Sequence, residues 1–120
     1  MKILIAEDDE LILKTLEYRL KKDGYQVITA RDGREALEKI ETQQPDLVIS
    51  DIMMPYASGL EIIGTLREKY QKKIPIIILT TMGQEDIVLE AFKLGADDFI
   101  TKPFSPNELS IRVRRFAITS

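Results

Sequence analysis

The sequence predicts an α/β protein, a doubly wound (βα)5 sandwich in which a central five-stranded parallel sheet lies between two helical layers. Three observations predict it. Short, wholly apolar runs recur, as strands covered on both faces require. Between them lie longer segments whose apolar residues return every three or four positions, as on one face of a helix. The two kinds of segment alternate through 120 residues with short connections and no linker, repeat or low-complexity stretch.

The elements follow in order. Residues 3–6 form the first apolar run. Residues 9–22 then carry Ile12, Leu13, Leu16 and Leu20 at helical steps, with Gly24 as the stop. Residues 25–30 read as the second strand. Asp32 and Glu35 make a capping-box pattern for a helix striped by Ala36, Leu37 and Ile40, closed by Pro45. Leu47, Val48 and Ile49 form a third buried strand that ends at Asp51. Ser58 and Glu61 repeat the capping pattern before a helix with Ile63, Leu66 and Tyr70 on one face. Residues 75–80 give the strongest strand signal, because Ile76, Ile77 and Ile78 are all β-branched. A helix over 84–94 carries Ile87, Ala91, Phe92 and Leu94 and stops at Gly95. Residues 98–101 are the fifth strand. Ser105, Pro106 and Glu108 supply an N-cap, a first-turn proline and a capping acid to a last helix lined by Leu109, Val113 and Phe116.

Composition narrows the chemistry. The length fits one domain over residues 1–120, and a 44% hydrophobic content supports a core. Without cysteine there is neither a disulfide framework nor a zinc-thiolate site. Without histidine there is no histidine-dependent triad and no imidazole ligand. Proton or phosphoryl chemistry must use carboxylates, lysine, hydroxyls, a metal or a partner's groups. A formal charge of −3 argues against a nucleic-acid-binding surface. Neither apolar run approaches the roughly 18 residues of a membrane span, and the first is too short for a signal-peptide core. The expectation is a cytoplasmic protein with no membrane partner.

Ligands of such a sheet sit beyond the carboxyl ends of its strands, so those ends are the informative positions. The first strand runs into Glu7-Asp8-Asp9-Glu10. A dinucleotide site would place glycines there, whereas four carboxylates repel phosphate and suit a hard cation such as Mg²⁺. Asp9 and Glu10 read first as acids favoured at a helix N-terminus; Glu7 and Asp8, at the strand end, do not. The third strand ends in Asp51, which alone would be a turn former but shares this edge with the other acids. Packed carboxylates need a cation to ionise together, and Asp51 is then available as a carboxylate nucleophile. The fourth strand ends in Thr80-Thr81, where a hydroxyl can donate to an anion. The fifth leads into Lys102-Pro103, where an ammonium can meet a phosphoryl oxygen. Two acids, a third acid, a hydroxyl and a lysine are the set that phosphoryl transfer to a carboxylate requires.

The chain resembles the receiver domains of bacterial response regulators over essentially all its length. The resemblance rests on residues 3–9 (ILIAEDD), Asp51-Ile52-Met53-Met54-Pro55, Leu79-Thr80 and Lys102-Pro103-Phe104, in that order and at the expected strand ends. It implies the flavodoxin-like strand order 2-1-3-4-5. It also implies Mg²⁺, with Mn²⁺ as a substitute, held by Glu7, Asp8, Asp51 and the backbone carbonyl of Met53. Asp51 would be phosphorylated, Lys102 and Thr80 would contact phosphoryl oxygens, and the Lys102–Pro103 peptide would be cis. The donor would be a phosphohistidine on a sensor histidine kinase. The domain would catalyse its own phosphorylation and dephosphorylation rather than act as a conventional enzyme. Two alternatives stand beside this reading. A phosphorylation-independent pseudo-receiver is opposed by the intact set of five residues. A haloacid-dehalogenase-type phosphatase is opposed by Met53, which stands where that chemistry needs a second carboxylate.

The same resemblance implies a switch. A phosphoryl group adds roughly −1.5 to −2 charges, Thr80 would move toward it, and an aromatic on the fifth strand would turn inward. Phe99 holds that place and reads equally as a plain core aromatic. Thr81 is bulkier than the usual residue and would restrict access to Asp51, while Met53 and Met82 flank the site. Asp97, Asp98, Glu108 and Arg112 fall where transcription-factor regulators place ion pairs between subunits, although Val88 replaces a common basic partner. A homodimer promoted by phosphorylation is therefore expected, with DNA contacted only through an effector domain that these residues do not contain.

Overall fold

The computed structural model describes residues 1–70 and 73–119, with side chains described as far as Ala117. Among the described residues, strands β1 (Lys2–Ala6), β2 (Gln26–Ala30), β3 (Leu47–Asp51), β4 (Ile76–Thr81) and β5 (Asp98–Lys102) alternate with helices α1 (Glu10–Lys22), α2 (Gly33–Gln43), α3 (Gly59–Lys69), α4 (Glu85–Leu94) and α5 (Pro106–Thr119). All strand pairings are parallel, in the order β2-β1-β3-β4-β5. This is the flavodoxin-like three-layer fold that the alternating pattern and the resemblance imply.

The pleat divides the core in two. Ile3, Ile5, Ile49, Ile77, Leu79 and Ile100 project toward α1 and α5, where they meet Leu13, Leu16, Leu20, Leu109 and Val113. Leu4, Ala6, Val48, Ile76 and Ile78 project to the other side, against Ala36 and Ile40 of α2, Ile62, Ile63 and Leu66 of α3, and Ala91 of α4. A strand whose two faces are both covered has no polar face, which is why these runs are continuously apolar. Each fully buried leucine or isoleucine contributes about 1.5–3 kcal/mol of transfer free energy.

Register carries this order to the functional edge. Ala6 pairs with Ser50, and Asp51 pairs with Leu79. Glu7, one residue past Ala6, therefore falls in the same row as Asp51. Leu79 pairs with Ile100 and Thr81 with Lys102, so Lys102 lies two residues further along on the face that Asp51 shares. Thr80 has the opposite parity and lies on the face of Ile78, Phe99 and α4.

Local caps fix the helix starts. The Asp9 carboxylate accepts the N–H groups of Leu11 and Ile12 at 3.0 and 3.1 Å. Asp32 accepts from Glu35 N–H at 2.8 Å, but the Glu35 carboxylate takes the N–H of Arg31 rather than that of the cap residue, so the capping box is displaced by one residue. Ser58 and Ser105 accept from Glu61 and Glu108 N–H groups. Helix α4 differs. Its N-cap is Gln84, which makes no side-chain cap bond, and of its residues only Ala91 is buried. The expected stripe turns inward only in part, for Phe92 and Leu94 remain 39% and 41% exposed. Among the described residues, no helix is long and apolar enough to cross a membrane.

The start of α2 presses against the β3–α3 loop. A Cβ on Gly33 would stand 1.9 Å from the carbonyl oxygen of Ala57, while one on Gly64, inside α3, would meet nothing within 4 Å. Gly33→Ala should therefore destabilise the chain by about 3 kcal/mol, and Gly64→Ala should stabilise it by about 0.5–1 kcal/mol. Urea-unfolding midpoints compare the two directly, and equal shifts would contradict this packing.

Candidate functional site

The carboxyl edge of the sheet gathers the predicted residues. Glu7 is fully buried, held by its own N–H donating to the Ala30 carbonyl at 3.0 Å. Its carboxylate accepts Asp9 N–H at 3.1 Å. Asp51 ends β3 and is 7% exposed, with Oδ1 accepting Met53 N–H at 3.3 Å. Lys102 Nζ reaches Asp51 Oδ2 at 3.1 Å and Glu7 Oε2 at 3.4 Å. Asp8 is exposed at the mouth. One carboxylate oxygen from each of Glu7, Asp8 and Asp51 lies within 4.8 Å of the others. Such a cluster fits a hard cation with oxygen ligands, since the ligand atoms already converge.

Charge at this edge is unevenly satisfied. Burial pushes the Glu7 carboxyl up to about 7; the Asp9 N–H opposes that, the Asp51 charge adds to it, and Lys102 opposes it. Burial disfavours the Lys102 ammonium, but the hydrogen bond and charge of Asp51, and then those of Glu7, outweigh it and hold the lysine above its ordinary value. The Lys102–Pro103 peptide is cis, as the resemblance implies. A cavity of about 430 Å³ opens beside the lysine, lined by Leu11, Ile12, Thr81, Lys102, Pro103 and Phe104.

Thr80 is almost fully buried, and its hydroxyl donates to Gln84 Oε1 at 2.6 Å. Met53 and Met82 are both exposed beside the site, and so is Thr81. Phe99 is half-buried and packs edge-to-face on Phe92 of α4, ring centres 5.9 Å apart.

The four residues expected at an intersubunit face divide within this chain. Asp98 takes Arg112 at 2.7 Å and Arg115 at 3.4 Å, and Glu108 stands 4.0 Å from Arg112. Asp97 turns elsewhere, to Arg67 at 2.9 Å and Lys73 at 3.0 Å, and also accepts Ile76 N–H. Val88 is half-buried.

Two features escaped the sequence reading. Gln84 reaches Thr80 across the β4–α4 turn; the one local signal is the lack of Ser, Thr, Asp or Asn just before α4. Tyr56 adopts φ +72°, with the Arg34 guanidinium 4.4 Å from its ring centre. Neither the left-handed backbone nor the partner is legible in Pro55-Tyr56.

The chain belongs to the response regulator receiver domain family, whose model matches residues 3–114. It is similar to the alkaline phosphatase synthesis transcriptional regulatory protein PhoP of Bacillus subtilis, at 46% identity over 113 residues, or 94% of this chain and 47% of that protein. It thus spans about half the length of that relative. Among solved structures it is similar to the receiver domain of the Francisella response regulator 1452, at 37% identity and TM-score 0.89, covering 99% of this chain and 98% of the other. It is also similar to the chemotaxis response regulator CheY4 of Vibrio cholerae, at 36% identity and TM-score 0.89, covering 96% and 97% of the two chains.

The raised Glu7 carboxyl predicts a pH dependence. Because the folded state favours the protonated form, this contribution to stability is complete below the ordinary value of 4.5 and is lost as pH rises through about 7. In a divalent-cation chelator, wild-type urea midpoints should fall between about pH 5 and about pH 8 by more than those of Glu7→Gln. Parallel profiles would show that Glu7 titrates normally.

Proposed function

We propose that this receiver accepts a phosphoryl group on Asp51 from a phosphohistidine of a sensor histidine kinase. The observation that carries this is the Lys102 ammonium 3.1 Å from a nearly buried Asp51, with Glu7 and Asp8 converging on the same point. An Asp51 carboxylate oxygen attacks phosphorus. The O–P bond forms as the donor's P–N bond breaks, and the electron pair leaves on the donor imidazole. Lys102 neutralises charge on the phosphoryl oxygens, and Thr80 turns to donate its hydroxyl to one of them. The Glu7, Asp8 and Asp51 carboxylates and the Met53 carbonyl would hold Mg²⁺ or Mn²⁺. The bound ion would supply further charge neutralisation between nucleophile and phosphoryl group. The cavity beside Lys102 gives a partner's side chains an apolar seat next to the reacting centre.

The output reading rests on the same site. Phosphorylation would shift Thr80 and α4, alter the Phe92–Phe99 contact and change the face made by α4, β5 and α5. We propose that two phosphorylated copies then pair across that face, exchanging the Asp98–Arg112 contact for contacts between subunits. The PhoP relative is a transcriptional regulatory protein, and a transcriptional output here would act through a DNA-binding effector domain outside these residues. A cytoplasmic site of action belongs to the same proposal.

Incubation with Mg²⁺ and a small acyl phosphate should add one phosphoryl group by intact mass. The adduct should be labile to base, and it should be missing in Asp51→Asn and after chelation. A persistently unmodified mass would sink the phosphoacceptor reading. Sedimentation with a phosphoryl mimic should show a dimer, and an unchanged monomer would remove the pairing proposal alone.

A further inference from the structure

We propose that Gln84 is a positioning residue for Thr80: it holds the hydroxyl proton in the unphosphorylated chain and so sets how readily Thr80 turns to a phosphoryl group. This rests on the Asp51 reading for its functional half and on geometry for the rest.

The Thr80 hydroxyl has one proton to give. Gln84 Oε1 stands 2.6 Å from Oγ1, whereas the other acceptor in reach, the Thr81 carbonyl, is 3.4 Å away. The nearer oxygen takes the proton. Gln84 Oε1 also accepts the Thr81 N–H at 2.9 Å. A backbone amide can only donate, so the side-chain oxygen, not its nitrogen, must face β4; this settles the amide orientation on chemical grounds.

The cost of this arrangement falls on α4. Gln84 occupies the N-cap, where an acceptor side chain ordinarily serves the first amides of the helix. It serves none of them, because its acceptor is turned back onto the strand. The helices α1, α2, α3 and α5 each begin with an Asp or Ser side chain accepting from a first-turn N–H. Helix α4 thus begins without a side-chain cap and buries only Ala91 fully; Gln84, together with the half-buried Ile87 packed on the core, ties its start to the sheet. At its far side the same helix presents Phe92 to Phe99. One amide oxygen therefore joins the switch hydroxyl, the start of α4 and, through α4, the aromatic pair. Taking Thr80 away leaves that oxygen with the Thr81 amide alone and loosens the helix from the strand.

If only the released population of Thr80 assists transfer, the apparent rate is lowered by that fraction. Removing the latch should then raise the rate. A hydrogen bond of ordinary net strength corresponds to about three- to tenfold.

The test has two arms. In the unphosphorylated chain, amide hydrogen exchange at Thr81 should be about tenfold faster or more in Gln84→Ala and should stay slow in Gln84→Glu, whose carboxylate accepts both bonds. Unchanged exchange in Gln84→Ala overturns the latch, whatever Asp51 does. In the second arm, the initial rate of phosphorylation by acetyl phosphate at saturating Mg²⁺ should rise about three- to tenfold in Gln84→Ala and should not rise in Gln84→Glu. The effect of Gln84→Ala should vanish in a Thr80→Ala background. An equal effect in both backgrounds would mean that Gln84 acts only by supporting α4, and would overturn the positioning role. A wild-type chain that takes no phosphoryl group would overturn the Asp51 reading and the transfer half of this proposal, while Thr81 exchange still decides the hydrogen bond.

Discussion

The central constraint of the structure is the burial of Glu7 beside Asp51, with a single ammonium between them. Sheet register places Glu7 and Asp51 in one row, each at the end of its strand. A register slip by one residue would exchange the side chains packed against the two helical layers, so the fit of both cores holds the acid pair in place. The chain answers the resulting repulsion with Lys102, which reaches both carboxylates from β5, and with the Asp9 N–H. The Glu7 carboxyl still stays raised, first because burial disfavours its charged form and then because the Asp51 charge adds to that. With all three converging carboxylates ionised and one ammonium beside them the formal charge is −2, a balance that suits one divalent cation.

Parity divides the site into a chemical half and a responsive half. Glu7, Asp51 and Lys102 project to the face of α1 and α5, whose buried leucines and valine give a dense support. Thr80 and Phe99 project to the other face, where α4 buries only Ala91 fully. Elements with little buried apolar area open at low free-energy cost. The acids and the lysine thus rest on the densely packed layer, while Thr80 and Phe99 touch the more open one. Adjacent residues on β4 connect the two: Thr81 on the face of the acids and Thr80 on the face of α4 share the oxygen of Gln84.

Much of this was legible in the sequence because it depends on short-range rules. Ile76-Ile77-Ile78, β-branched throughout, gives the strongest strand signal. Ser58, Ser105, Asp9 and Asp32 mark helix starts through a bond spanning two or three residues. The strand ends then place Glu7, Asp51, Thr80 and Lys102 together by topology alone. What was not legible depends on how a long side chain turns. The sequence does not say whether Gln84 faces α4 or β4, or that Tyr56 would take a left-handed backbone under Arg34. Asp97 and Asp98 look alike as neighbours. Yet Asp98 begins β5 and meets α5, while Asp97 precedes the strand and turns to Arg67. The half-inward stripe of α4 has the same origin, since periodicity shows an apolar face but not how deeply it is covered.

The lack of histidine acquires a physical meaning in this setting. A hydroxyl nucleophile needs a base to remove its proton, whereas an ionised carboxylate attacks as it stands. Asp51 is a carboxylate with the Lys102 ammonium 3.1 Å from its Oδ2. An imidazole beside it would be superfluous as a base, and as an imidazolium it would compete with Lys102 for the same oxygens. In phosphoryl transfer the imidazole is useful on the other side of phosphorus, as the group that leaves. Under the proposed phosphoacceptor reading, Asp51 needs cations and donors around it, and the leaving imidazole belongs on the partner.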